Sequence, residues 1–170
     1  MVVTDKLRAA LPHGRYLLST ASWHVGMFGE GAYANAKPTS IFTGVNLAMA
    51  KSPAGQQLDL INIMAYDAGG PTTTGFDWRQ SYDAHRAIWK TQALAVGIEI
   101  PPEAWGGFVV DLPGVAERAR YVQSRNPGNA SGTMLWSLQK PGSPSAQEVL
   151  SVVCNTYGLP SCSTPLPYAA

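Results

Sequence analysis

The apolar residues of this chain fall into four short runs separated by longer amphipathic stretches. Each run has about the length of a buried strand, and the runs lie at 16–21, 58–66, 94–98 and 132–138. The stretches with helical spacing, which predict helices, lie at 4–11, 39–51, 79–92, 113–124 and 145–157. The pattern therefore predicts four strands that alternate with helices.

Strands that alternate with helices form parallel sheets with right-handed crossovers. Only four such units fit in 170 residues, whereas a complete (β/α)8 TIM barrel needs roughly 250. We therefore expect an α/β fold that is a partial TIM barrel, with an open doubly wound sheet as the alternative. No Gly-x-Gly-x-x-Gly turn follows the first run and no Gly-x-x-x-x-Gly-Lys-Ser/Thr loop occurs, so no nucleotide cofactor is expected.

Aromatic residues collect at or just past the ends of the predicted strands. They are Trp23, Tyr33, Tyr66, Trp78, Trp105 and Trp136. Loops that follow parallel strands carry the sites of barrel proteins, and aromatic platforms with nearby polar groups suit the C–H faces and hydroxyl edges of sugars. The pattern predicts a sugar-binding cleft, although each aromatic residue taken alone could instead belong to the hydrophobic core.

The composition is typical of a folded protein with a large core, because 45% of the residues are hydrophobic and 14% are charged. The net charge of +1 argues against nucleic acid or an anionic membrane as a partner. No apolar run approaches the roughly 18 residues of a membrane span. The first residues lack the pattern of a signal peptide, so we expect no export signal in this chain.

The two cysteines, Cys154 and Cys162, lie close together, and Gly158 and Pro160 between them allow the chain to turn back. A local disulfide is expected, with two free thiols as the alternative. Two cysteines without a nearby histidine cannot close a structural zinc site, so no metal is expected. A disulfide and the sequon at 129–131 are both typical of secreted proteins, and they favour an extracellular lineage.

The segment 58–67 reads Leu-Asp-Leu-Ile-Asn-Ile-Met-Ala-Tyr-Asp and resembles the sixth-strand motif of glycoside hydrolase family 18. This family contains the chitinases and endo-N-acetylglucosaminidases, and its motif ends in Met-x-Tyr-Asp. The segment 132–138 resembles the eighth strand of the same family, which ends in tryptophan. The resemblance implies that residues 1–158 form the C-terminal half of a family-18 TIM barrel, about its last four β/α units, followed by a tail at 159–170.

The resemblance also implies a substrate class and individual roles. In this family the N-acetyl oxygen of the substrate attacks the anomeric carbon. Tyr66 would donate a hydrogen bond to that N-acetyl group and Met64 would pack beside it. Asp67 would bind a sugar hydroxyl or anchor its loop, and Trp136 would form the floor under the sugar at the cleavage point. The substrates would be chitin or N-acetylglucosamine oligosaccharides, and no cofactor is implied.

The chain departs from the family in its acidic residues. The catalytic signature of the family is Asp-x-x-Asp-x-Asp-x-Glu on the fourth strand, and this chain contains no Asp-x-Glu. The missing glutamate is the general acid, a group that contributes about 10²–10⁴-fold to the rate. We expect the carboxylates in the strand-end loops to be solvated, and they are Glu30, Asp67, Asp77, Glu99 and Glu103.

Glu99 directly follows an apolar run, so it is the best substitute for the missing acid. With Trp23, Trp78 and Trp105 it completes the predicted substrate-binding set. A Ser-His-Asp hydrolase is a weaker interpretation, because no Gly-x-Ser-x-Gly elbow occurs. The position of His85 within a helical stretch predicts a solvated side chain.

Three functions remain open on this reasoning. The first is a piece of a chitinase-like hydrolase that is inactive as an isolated chain. The second is a lectin-like protein that binds chitin oligosaccharides without chemistry, and the third is a fragment with no independent role. A sheet of four strands with two open edges also predicts self-association, or a missing N-terminal half supplied by another chain.

Overall fold

The computed structural model describes residues 2–105, 107–125 and 131–165, and Asn129 and Ala130 of the sequon lie outside these ranges. The described strands are β1 (Ser19–Trp23), β2 (Leu60–Met64), β3 (Ala93–Glu99) and β4 (Gly132–Trp136). The described helices are α1 (Val2–Ala10), α2 (Leu47–Lys51), α3 (Trp78–Ile88), α4 (Leu112–Arg125) and α5 (Ala146–Tyr157). Each of the predicted strands is present, with shifted bounds.

The described strands form one parallel sheet in the order β1-β2-β3-β4. Along one row of the sheet, Ser22 pairs with Ile63, Ile63 with Val96, and Val96 with Thr133. The predicted α/β class, with parallel strands that alternate with helices, is therefore confirmed. The strand order follows the chain without the reversal that marks a doubly wound sheet. Among the described strands, β1 and β4 are the edges.

The two faces of this sheet differ in burial. Successive strand residues point to opposite faces, and the residues of one parity in β2 and β3 are fully buried: Ile61, Ile63, Leu94, Val96 and Ile98. The other parity is more accessible in β1 and β2, where the exposed or half-buried residues are Ser19, Ala21, Trp23, Leu60, Asn62 and Met64. One face thus packs into the core, and the opposite face is uncovered over β1 and β2.

Local capping signals mark the starts of two helices, α3 and α5. The Asp77 side chain accepts a hydrogen bond from the Arg79 amide at 2.9 Å and caps α3, and Ser145 and Glu148 form a reciprocal capping box at α5. The helix predicted over 39–51 is wrong for most of its length, because only α2 forms there. Gly44 has a φ of +75°, a left-handed conformation that interrupts a helix.

A disulfide joins Cys154 of α5 to Cys162, with the Cα atoms 5.4 Å apart. The helix ends at Gly158, whose φ of +66° forms a left-handed C-cap. The chain then turns back along α5, since the Leu159 amide donates to the Cys154 carbonyl and the Ser151 hydroxyl donates to the Cys162 carbonyl, both at 3.1 Å. The described part of the predicted tail therefore packs against α5.

Candidate functional site

The register of the sheet brings residues from separate segments together at its carboxyl end. Trp23 pairs with Met64, and Glu99 pairs with Trp136. Paired residues of parallel strands project from the same face, so the members of each pair lie side by side. All four belong to the predicted substrate-binding set, and their parity places them on the face that is uncovered over β1 and β2.

Tyr66 follows β2, and its ring lies over Gly97 of β3. A Cβ atom at Gly97 would lie 2.7 Å from Cε1 and 2.9 Å from Cδ1 of the Tyr66 ring, so a glycine at this position makes room for the ring. Burial, with the nearby charges of Glu99 and Asp67, raises the pKa of the Tyr66 hydroxyl to about 12. The hydroxyl stays protonated at neutral pH and can donate a hydrogen bond, as the role implied by the resemblance requires.

Glu99 is the last residue of β3 and is only 2% exposed, so the expectation of a solvated carboxylate is wrong for this residue. Its Oε1 accepts a hydrogen bond from Nζ of Lys140 in the loop after β4, and the same Nζ donates to the Pro102 carbonyl. Within the part of the chain that the structure describes, the Oε2 atom of Glu99 is buried without a hydrogen-bond partner. A buried carboxylate oxygen that lacks a donor is costly, and a donor from a bound molecule would remove that cost.

Asp67 forms the corner at which the chain leaves the sheet after β2. Its φ of +54° lies in the left-handed region, which aspartate tolerates better than most residues. Its Oδ1 accepts a hydrogen bond from the Trp105 amide at 2.7 Å, and its own amide donates to Oε2 of Glu103 at 2.8 Å. These two bonds tie the end of β2 to the loop after β3. These bonds anchor a loop, which is one of the two roles considered for Asp67.

Two charged residues close to this corner are buried. Glu103 is 3% exposed and Arg118 is 4% exposed, so the expectation of a solvated carboxylate is wrong for Glu103 as well. Burial raises the pKa of Glu103 to about 7, while the Asp67 amide and the Arg118 charge oppose the rise. Nη1 of Arg118 donates to the carbonyls of Ala65 at 3.0 Å and Gly97 at 3.2 Å. One side chain of α4 thus links the ends of β2 and β3.

The sequence carried a signal for Arg118 that our interpretation missed. The buried residues of α4 are Val115, Arg118, Ala119 and Val122, which is the i, i+3, i+4, i+7 spacing of a buried helix face. A charged residue on such a face must find hydrogen-bond partners inside the protein. Glu103 and Lys140 lie in irregular loops, where no periodic pattern indicates burial.

Three of the predicted tryptophans present aromatic surface at this end of the sheet. Trp136 is 55% exposed and Trp105 is 75% exposed. Trp23 is 37% exposed, and one of its faces stacks on Phe42 with ring centroids 3.8 Å apart. The peptide bond between Trp136 and Ser137 is cis. Flat rings of this kind are what the C–H face of a sugar packs against.

Trp78 belongs to the core, which is the alternative that the sequence left open for each aromatic residue. It is the first residue of α3, is 9% exposed and packs edge-on against Tyr121 at 5.2 Å between centroids. It lines a cavity of about 350 Å³ whose lining also includes Phe108 and Arg118 but not Tyr66. Tyr33 likewise packs against the core cluster.

His24 and His85 are buried inside the protein. His85 is fully buried rather than solvated, because it completes a polar chain inside the core. Its Nδ1 donates to the Ser81 carbonyl at 2.7 Å, and its Nε2 lies 2.7 Å from the buried Ser22 hydroxyl. Burial lowers the pKa values of His24 and His85 to about 4. A carbonyl in place of a carboxylate on Nδ1, with both partners out of reach of solvent, does not make a hydrolase triad.

Among the described residues, no group of three or more His, Cys, Asp or Glu side chains could hold a metal ion. In the same part of the chain, no helix combines the length and the apolar character needed to cross a bilayer. The groups that the sheet brings together at the carboxyl ends of its strands are hydrogen-bonding side chains and aromatic rings. Compared with protein-family models and with curated proteins, the chain matches none.

Proposed function

We propose that this chain contains the C-terminal half of a family-18 chitinase-like TIM barrel and binds N-acetylglucosamine oligosaccharides at the carboxyl ends of its strands. The observation that carries the proposal is the meeting of Tyr66, Glu99 and Trp136 at one end of a single parallel sheet. These residues come from three separate segments, and two of those segments carry the resemblance to the family. The proposed lineage is extracellular.

The burial of the sheet supports a barrel rather than an open doubly wound sheet. A doubly wound sheet carries helices on both faces, whereas here Ser19 and Ala21 are exposed and Leu60 and Asn62 are half-buried on one face. In a barrel this face would point inward and pack against side chains from the remaining strands. The strand order, which follows the chain without a reversal, agrees with the same arrangement.

The chemistry of the site suits an N-acetylated sugar. The exposed ring of Trp136 offers a platform for the C–H face of the ring. The protonated hydroxyl of Tyr66 offers a hydrogen-bond donor to the N-acetyl oxygen, and Met64 lies on the same face two residues earlier. In the complete barrel of which this chain would form half, the parent barrel, that oxygen would attack the anomeric carbon in the substrate-assisted manner of the family.

As an isolated chain, the protein should bind without hydrolysis, because it contains no Asp-x-Glu. The parent barrel would hydrolyse β-1,4-linked N-acetylglucosamine polymers, with the general acid supplied by its other half. A lectin-like protein that never hydrolyses would use the same site, and the missing Asp-x-Glu favours it for this chain taken by itself. The two functions differ in whether a partner half restores turnover.

Isothermal titration calorimetry with N-acetylchitotetraose tests the proposal. Cellotetraose is the matched ligand, because it has the same linkage without the N-acetyl groups. We expect the N-acetylated sugar to bind more tightly, and Tyr66→Phe to reduce that preference by removing one hydrogen-bond donor. Equal affinity for the two sugars would reject N-acetyl recognition, and no binding of either sugar by the folded chain would reject the site.

A further inference from the structure

Glu103 is a buried carboxylate whose contacts tie it to the corner of the candidate site. Its Oε2 accepts the backbone N–H of Asp67 at 2.8 Å. Its own amide donates to the Phe108 carbonyl at 3.1 Å, which fixes the loop that carries it. Asp67 in turn accepts the Trp105 amide at 2.7 Å. The two carboxylates thus bind each other's loop, and Tyr66 lies next to the Asp67 amide in the chain.

The corner needs this support because of its backbone conformation. Asp67 has a φ of +54°, and a non-glycine residue in the left-handed region persists when the surrounding structure holds it there. On the other side of Tyr66, the Ala65 carbonyl is held by Nη1 of Arg118 at 3.0 Å. Two buried side chains of opposite charge therefore hold the backbone around Tyr66: Arg118 binds the carbonyl before it and Glu103 binds the amide after it.

The charged groups that face Glu103 come from three elements. Arg118 of α4 stabilises the ionised form, while Asp67 after β2 and Glu99 of β3 oppose it. Glu99 is itself paired with Lys140, whose ammonium binds Oε1 of Glu99. Glu103 thus sits between one buried cation and two carboxylates, with a backbone amide as its hydrogen-bond donor.

We propose that Glu103 is a positioning residue. In its ionised form it holds the Asp67 amide and so fixes Tyr66 at the sugar-binding end of the sheet. When Glu103 is protonated, it releases that corner. A charge-assisted bond from N–H to a carboxylate is roughly twice as strong as a neutral one. Loss of the charge should therefore weaken the link between the two loops. The consequence for sugar affinity rests on the proposed function, whereas the role in the corner does not.

The direction of the pH effect follows from the burial of Glu103. Because burial raises the pKa of this carboxyl to about 7, the residue changes charge near neutral pH rather than in acid. Above that pKa the ionised form holds Asp67, and below it the corner loosens. Sugar should therefore bind more tightly on the alkaline side of neutrality than on the acidic side.

The first test needs no sugar. The backbone amide signal of Asp67 in the full chain is followed by NMR between about pH 5 and about pH 9. We expect the amide proton signal to move upfield on acidification, with a midpoint near neutrality. Glu103→Gln keeps the size of the side chain and an acceptor oxygen, and this titration should be lost in it. Glu117→Gln is the control, because Glu117 is an exposed carboxylate that also acts on Arg118.

Glu103→Asp provides a second variant, since it keeps the carboxylate and should keep a titration of smaller amplitude. If the Asp67 signal titrates unchanged in Glu103→Gln, or if Glu117→Gln abolishes the titration, another group controls the corner and the proposal is overturned. The same holds if the amide signal of the wild-type chain does not respond to pH between the two limits.

The second test measures N-acetylchitotetraose affinity on either side of neutrality. We expect the wild-type chain to lose about threefold or more in affinity on the acidic side, and Glu103→Gln to show nearly the same affinity at both pH values. A pH-independent affinity in the wild-type chain would overturn the link between the corner and the site. If the amide test succeeds and no sugar binds at any pH, the positioning role stands and the proposed function fails.

Discussion

The ring of Tyr66 occupies the space that a side chain at residue 97 would need. A Cβ atom on Gly97 would lie 2.7 Å from Cε1 of Tyr66 and 2.6 Å from the carbonyl oxygen of Ile63. Both separations are shorter than the van der Waals contacts that a carbon atom makes with carbon or oxygen, so even alanine does not fit without movement of its neighbours. The placement of the tyrosine thus depends on a glycine in the neighbouring strand.

Gly97→Ala should therefore destabilise the chain by about 1–3 kcal/mol, the usual cost of an extra methyl group in a packed site, and displace Tyr66. Urea unfolding measures the first effect and the NMR signals of the tyrosine ring report the second. Gly132→Ala is the control, because Gly132 lies on the same sheet face opposite Ala95 and a Cβ there would meet nothing within 4 Å. Equal losses in the two variants would show that neither Tyr66 nor the Ile63 carbonyl limits residue 97.

Trp136→Ala should weaken the binding of N-acetylglucosamine oligomers by more than about 1 kcal/mol, the scale of an aromatic contact. The ring is 55% exposed and sits beside Glu99 in the sheet, so its removal should cost little stability. Trp136→Tyr keeps an aromatic surface and should retain most of the affinity. Calorimetry that finds unchanged affinity in a folded alanine variant would remove Trp136 from the site.

The isolated chain should not release the fluorophore from a chitobioside substrate, because it contains no Asp-x-Glu to supply the general acid. Glu99 is the one carboxylate at a strand end with a buried, unpaired oxygen among the described residues, so Glu99→Gln is the decisive variant. Turnover that survives purification and disappears in Glu99→Gln would identify a substitute acid. Turnover that survives in the variant would exclude Glu99 as that acid.

The stability of the chain should fall as the pH is lowered from about 6.5 toward 4. Burial lowers the pKa values of His24 and His85 from 6.5 to about 4, so both are neutral in the folded protein and take up a proton on unfolding in this range. The unfolded state then binds more protons, and the free energy of unfolding rises with pH. Urea unfolding at several pH values measures the slope.

Glu103 should oppose this trend. Its pKa in the folded protein is raised from 4.5 to about 7, so between these values folding takes up a proton and acidification adds stability. Glu103→Gln removes that contribution, and we expect a steeper loss of stability on acidification than in the wild-type chain. His85→Gln should give a shallower loss, if it folds. A slope that is unchanged in Glu103→Gln would mean that this carboxyl titrates normally.

The sequence predicted the parallel strands and the residues at their ends because both depend on local patterns. Apolar runs predicted the strands; Trp136 ends β4, and Tyr66 lies two residues after the end of β2. The sequence did not predict the burial of side chains that are covered by contacts between distant segments. Glu103 and Glu99 look like loop and strand-end carboxylates, yet both are buried by segments far away in the chain. His85 fits an exposed helix by position, but Ser22 of β1 supplies its partner across the core.

The helix predicted over 39–51 shows a different limit. Its apolar spacing favours a helix, but the left-handed Gly44 interrupts it and the amide of Gly44 bonds instead to the Val25 carbonyl at 3.1 Å. A glycine signals such a break only when its backbone angle is known. The pattern of the chain alone therefore overstated the length of α2.

The chain should self-associate in solution unless another polypeptide pairs with the open edges of its sheet. Among the described strands, β1 and β4 each pair on one side only, and unpaired strand edges recruit other chains. A two-fold pair of copies could join the β4 edge of one to the β1 edge of the other and close a single barrel. Light scattering on the purified chain is the measurement, and a monomer that unfolds cooperatively would contradict this expectation.

The disulfide closes a ring of chain that lies within α5 and the residues directly after it, with a sequence separation of 8. A loop of that size contributes about 2–3 kcal/mol in the chain-entropy picture, and it cross-links no strand of the sheet. We therefore expect recombinant chain made in a reducing bacterial cytosol to present Tyr66 and Trp136 as the oxidised chain does. Preparations from reducing and oxidising hosts should then be interchangeable for sugar-binding work, and should differ chiefly in how easily proteases trim the residues after Gly158.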